Sequence, residues 1–248
     1  MILQRLATSI RKQDWFTVAV ETLIVVLGVF LGLQVQQWAQ EQGRRQLEAS
    51  YTSRLHDDVV RLLQTRRPTT QDREMFNDLL ISLAPVLFGV EDRAITTEEC
   101  GSVGYTYLVS NPTDELAALI ELQSSGQLSL FRNKEVSEAV QAFLLTRSRA
   151  RDSQAGISGN DEVLTSKYPD LIQVVTPAVV AERPTTATFR CDLEGMKTDP
   201  EFLNDFEFAK TNFGLHVADN ARVTASLTEL HRVLDEHLDI THAEGTSP

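Results

Sequence analysis

From Phe16 to Val35 the chain runs through 20 residues whose only charge is Glu21. About 20 apolar residues are what a helix needs to cross a ~30 Å hydrocarbon core. Trp15 and Trp38 bracket the run, as amphipathic rings do at the headgroup level. A cleaved signal peptide has a shorter apolar core followed by a small-x-small site. Val35-Gln36-Gln37-Trp38-Ala39-Gln40 offers no such site, so residues 16–38 read as one uncleaved transmembrane helix. Elsewhere the chain is too polar for further spans, with a mean hydropathy of −0.17.

Position along the helix gives this segment a face. Glu21, Gly28 and Gly32 are separated by seven and then four residues, which places them on one side. Gly28-xxx-Gly32 is a small-xxx-small pattern that lets helix backbones approach closely. Three readings of Glu21 stay open at this point. It is hydrated near the interface, only six residues past Trp15, or it contacts a partner helix, or it carries protons.

Orientation is close to balanced by charge alone. Arg5, Arg11 and Lys12 precede the span, while Arg44, Arg45 and Arg54 follow it. The α-amino group and the two cysteines, Cys100 and Cys191, tilt the expectation toward a short cytoplasmic tail over residues 1–15. The remainder then lies on the far, oxidising side of the membrane. Two cysteines suit either a single disulfide in an oxidising compartment or two buried thiols. A bond would close a loop of about 90 residues and stabilise the domain by ~4–5 kcal/mol.

Beyond the span the expected fold is mainly α: a polar stalk helix over 39–67, then an irregular helical bundle over 68–241 with at most a minor β-hairpin. Residues 242–248 read as a disordered tail. Leu47, Tyr51, Leu55, Val59 and Leu62 recur at helical steps, and Pro68 is expected to end that run. A second helix is expected over 71–88, and 89–110 reads as loop. Asn111-Pro112-Thr113-Asp114-Glu115 reads as a helix start, with the helix over 116–123 closing at Ser124-Ser125-Gly126. Asn133 reads as the N-cap of a helix to about Arg151. Short helical turns over 160–167 and a pairing of Leu171–Val175 with Thr185–Phe189 follow. Two more helices are expected, one opened by Asp199-Pro200-Glu201 and one over 212–240.

Three elements taken together carry a resemblance. They are Glu21 to Gln34 with Trp38, the polar helix after them, and Glu121-Leu-Gln-Ser-Ser-Gly-Gln-Leu-Ser-Leu-Phe-Arg-Asn-Lys-Glu135. The arrangement resembles a bacterial family of single-span proteins known only as a domain of unknown function. Its members carry an acidic residue near the start of the span, where Glu21 stands. The resemblance implies a bacterial inner-membrane location, with the soluble domain then in the periplasm, and supplies no activity.

The net charge of −12 and the lack of a basic stripe exclude nucleic acid as a partner. From Cys191 onward 12 acidic residues face 4 basic ones, which reads as a solvated helical surface. Phosphate-binding glycine loops, nucleophile elbows and Cys-x-x-Cys pairs are missing. His231 and Asp235, four apart near the C-terminus, share a helix face and read as a surface contact, with a weak divalent-ion site as the other reading. No catalytic residue, metal ligand or cofactor is therefore assigned. The leading expectation is a single-pass scaffold or accessory subunit that binds the bilayer and another membrane protein, or a second copy of itself. The alternative is an ion-coupled, stator-like component using Glu21 beside a multi-span partner.

Overall fold

A computed structural model describes residues 15–158, 163–176 and 188–241. The expected tails at 1–14 and 242–248 lie outside the described residues. The protein is mainly α. Among the described residues the seven α-helices are α1 (Trp15–Leu87), α2 (Thr97–Gly104), α3 (Ala117–Ser124), α4 (Lys134–Ser158), α5 (Leu164–Lys167), α6 (Leu193–Thr198) and α7 (Pro200–Leu238). Two strands, β1 (Ile172–Thr176) and β2 (Thr188–Cys191), pair antiparallel. The chain divides into two units, Met1–Tyr51 and Thr52–Pro248.

In the first unit, α1 is apolar and exposed from Leu23 to Val35. It is the one helix among the described residues long and apolar enough to cross a membrane.

The second unit holds the core. Leu55, Val59, Leu62 and Leu63 of α1 are buried, which confirms the inward stripe for this part of the helix. Pro68, however, does not end it: both Pro68 and Pro85 lie inside α1. A proline removes one backbone hydrogen bond and costs about 3 kcal/mol within a helix. Here buried side chains fix the helix on both sides of the ring, Arg66 before it and Arg73 after it. The Thr70 hydroxyl also donates to the carbonyls of Arg66 and Arg67, at 3.2 and 3.0 Å. The helix stops instead at Leu87, where Gly89 adopts φ +70 and Val90 N donates to Pro85 O at 2.8 Å.

Residues 97–104, expected as loop, form α2. The cause is a reciprocal cap: Thr96 Oγ1 accepts from Glu99 N at 3.1 Å, and Glu99 Oε2 accepts from Thr96 N at 2.9 Å. The buried Glu99 carboxylate also receives Arg93 Nη2 at 2.7 Å and the Ser82 hydroxyl at 2.9 Å. The helix expected over 116–123 is α3, capped by Leu116, but residues 111–115 lie before it and supply no acid to its first turn. Its end matches expectation, with Gly126 at φ +68. Asn133 caps α4 as expected, accepting from Glu135 N and Val136 N at 2.8 and 3.1 Å.

The hairpin exists, and its second strand runs past Phe189 to Cys191. Val174 pairs with Phe189 and Ile172 with Cys191, while residues 185–187 of the expected strand lie outside the described residues. This register carries Cys191 to α2, where it is disulfide-bonded to Cys100, with Cα atoms 5.8 Å apart. It also lays Phe189 on the end of α2. A Cβ on Gly104 would fall 2.5 Å from Phe189 Cζ, so only glycine fits there. The two helices expected near the C-terminus are one, α7, capped by Asp199, which accepts from Glu201 N and Phe202 N at 3.0 and 3.1 Å. Phe202, Phe206 and Phe213 are fully buried, whereas Phe208 is exposed.

Glu99 gives this unit an acid-sensitive joint. Hydrogen bonding from Arg93, then from Thr96 and Ser82, holds its carboxyl down at about 2 against the opposing effect of burial. A carboxyl depressed on folding stabilises above its unfolded value of 4.5 and loses that contribution as the pH falls toward 2. Urea unfolding of Glu99→Gln at pH 7 should show a loss of about 2 kcal/mol. The variant should also lose less stability than the native chain between pH 4.5 and 2.

Candidate functional site

The expected membrane face is built by α1. At about 100° per residue, Glu21, Gly28 and Gly32 fall within an arc of about 40°. All three are exposed, and a Cβ added at Gly28 or Gly32 would meet nothing within 4 Å. Trp38 is exposed at 65%. Trp15 is the first residue of α1. An apolar helix bearing a carboxylate and two glycine notches on one side, with open space beside the notches, suits close packing against another helix.

Inside the second unit the interior holds a group of polar side chains that spacing did not bring together. Arg66 is 1% exposed. Its Nη1 donates to the carbonyls of Thr113 and Pro112 at 2.8 and 3.2 Å, and its Nη2 to Asn220 Oδ1 at 3.1 Å. Two turns further along α1, Arg73 Nη1 lies 3.2 Å from His216 Nε2, and Nη2 donates to Ser110 Oγ at 3.2 Å. Asn220 Nδ2 closes the group by donating to Asn111 Oδ1 at 3.2 Å. Asp114, at the end of the same loop, is held by Arg151 of α4.

Burial lowers the pKa of Arg66 and of Arg73, yet both remain cations, since a guanidinium starts above 12. A guanidinium only donates, so His216 Nε2 must accept from Arg73 and the ring is neutral. Its pKa agrees, pushed down to about 4 by burial first and by the nearby Arg73 charge second. Neither arginine is held by a carboxylate in these bonds: Arg66 binds carbonyl and amide oxygens, and Arg73 a ring nitrogen and a hydroxyl. Their work is structural: Arg66 satisfies the carbonyls of Pro112 and Thr113, and Arg73 holds the Ser110 hydroxyl, in a stretch that makes no helix of its own.

A third group lies elsewhere in the same unit. His231 and Asp235, the pair visible in the sequence, are joined by His56 of α1, 179 residues before Asp235. Asp235 Oδ1 is 2.9 Å from His56 Nε2, and Asp235 Oδ2 is 3.4 Å from His231 Nδ1. The two imidazoles stack with centroids 5.2 Å apart at 22°. All three residues are shielded, with His231 at 4% exposure, so this is no surface contact. The missing member was invisible because helix periodicity links only residues one or two turns apart.

With this geometry in hand, comparison with known proteins adds nothing to it: no protein-family model, no curated protein and no solved structure matches the chain.

Two outcomes follow from the arginine group. Arg66→Met leaves the Pro112 and Thr113 carbonyls and Asn220 without their donor, and should destabilise the second unit by about 3 kcal/mol in urea unfolding. The His216 ring should stay neutral in NMR titration until the pH approaches 4. A histidine depressed on folding takes its proton first in the unfolded chain, so stability falls as the pH drops from 6.5 toward 4.

Proposed function

We propose that this chain is a single-pass protein of a bacterial inner membrane, with a short cytoplasmic tail and a helical domain in the periplasm. It serves as a scaffold or accessory subunit, joined through its span to another membrane protein or to a second copy of itself. The observation that carries this reading is the Glu21–Gly28–Gly32 face, exposed on the one membrane-length helix among the described residues. In lipid, helix association draws on close packing and interhelical hydrogen bonds, and this face offers both. A partner also removes the cost of turning Glu21 toward lipid, about 2.5–3.5 kcal/mol near the bilayer centre and less near an end.

The disulfide supports the side assigned to the domain. Cys100–Cys191 belongs in an oxidising compartment, which in bacteria lies outside the inner membrane. The arginine group, its guanidinium donors spent on the 110–113 stretch, Asn220 and a neutral His216, supports a structural part rather than a catalytic one. Glu21 on the same face keeps the ion-coupled, stator-like reading in play as the rival, and one experiment separates the two.

Purification of the full chain in mild detergent should retain a partner or a second copy. Gly28→Leu and Gly32→Leu should reduce the associated fraction about tenfold, the equivalent of 1–2 kcal/mol of lost packing. Glu21→Gln should leave association within a few-fold of the native level. If Glu21→Gln instead abolishes cellular function while assembly survives, the ion-coupled reading replaces this one.

A further inference from the structure

We propose that His56, His231 and Asp235 form a binding site for a divalent transition-metal ion of the zinc class. Two imidazole nitrogens and one carboxylate oxygen are a donor set that zinc-class ions accept, with the remaining position left to water. Imidazoles disfavour magnesium and calcium, which take oxygen ligands. The three candidate donor atoms lie within 4.8 Å of one another. A tetrahedral ion with bonds of about 2.0–2.1 Å holds its donors about 3.4 Å apart. From the two Asp235 oxygens, His231 Nδ1 lies at 3.4 Å, which matches that value, and His56 Nε2 at 2.9 Å, which is about half an ångström shorter. Side-chain movements of about an ångström therefore open the centre to an ion.

The scaffold behind the donors is firm. His231 and Asp235 stand one turn apart on α7, whose first turn is capped by Asp199 and whose middle is tied to α1 through Asn220 and Arg66. His56 comes from α1, so the ion bridges two helices. A metal-bound histidine usually keeps its other ring proton on a second acceptor. For His56 that acceptor is at hand: Asp57 Oδ1 is 3.7 Å from His56 Nδ1. Asp235 retains some solvent access at 14%, which gives the ion an entry path and room for its water.

The protons balance simply. In the metal-free chain a proton lies between Asp235 and each imidazole nitrogen that donates to it. On binding, the ion takes the lone pairs of His56 Nε2, His231 Nδ1 and an Asp235 oxygen. Each neutral ring then carries its single proton on the opposite nitrogen, and any excess proton leaves to solvent. The ion becomes a tie between α1 and α7, a role that neither the membrane face nor the arginine group performs.

The test uses the full chain in detergent, stripped with chelator and then titrated with Zn²⁺ alone. One zinc per chain should remain after desalting. Asp235→Asn and His231→Gln should each weaken binding by roughly tenfold or more, whereas the His237→Gln/His242→Gln double variant should not. X-ray absorption of the zinc-loaded native chain is independent of how the variants fold. It should show two imidazoles and oxygen donors at about 2.0–2.1 Å. No retained zinc, an imidazole count other than two, or unchanged affinity in a folded Asp235→Asn variant would each overturn the proposal.

Discussion

The second unit depends on one buried cation. The Arg66 guanidinium sits beneath the surface and spends its donors on Pro112, Thr113 and Asn220. A charge placed there without partners would be severely destabilising; with carbonyl and amide oxygens around it, the same charge fixes three segments at once. α1 is held through Pro68, the 110–113 stretch is held without regular structure, and α7 is held at its midpoint. Arg73 repeats the device one proline later, against His216 and Ser110. Because both rows of contacts leave from a single helix, α1 and α7 keep a fixed register, and His56 stays level with Asp235.

That dependence explains which parts of the fold could be read from residues alone. The span was legible because twenty apolar residues leave few alternatives. The Asn133 cap, the Gly126 stop and the Asp199-Pro200 start were legible because each rests on bonds between near neighbours. The reciprocal cap of α2 was equally local. Thr96-x-x-Glu99 is its signature, and the surrounding loop-like composition concealed it. Pro68 misled for the opposite reason: local chemistry says stop, and Arg66 and Arg73 overrule it from a distance.

The sites divide in the same way. Glu21, Gly28 and Gly32 could be placed on one face because spacing alone decides a helix face. Asp235 and His231 could be paired for the same reason. His56 could not, since its position opposite them follows from packing across 179 residues of chain. The hairpin register was likewise set from outside the strands: β2 runs to Cys191 and lays Phe189 on Gly104, where a side chain would collide. In each case the missing information was a tertiary contact.

The functional account rests on the span facing another helix along Glu21, Gly28 and Gly32. Single cysteines placed at successive positions from 24 to 34, oxidised in native membranes, test that directly. The native pair does not interfere, because Cys100 and Cys191 are bonded to each other. The account predicts crosslinked product, to a second copy or to a partner, that peaks at 28 and 32 and falls away on the opposite side of the helix. Crosslinking that is absent at every position, or equal all around the helix, would contradict it.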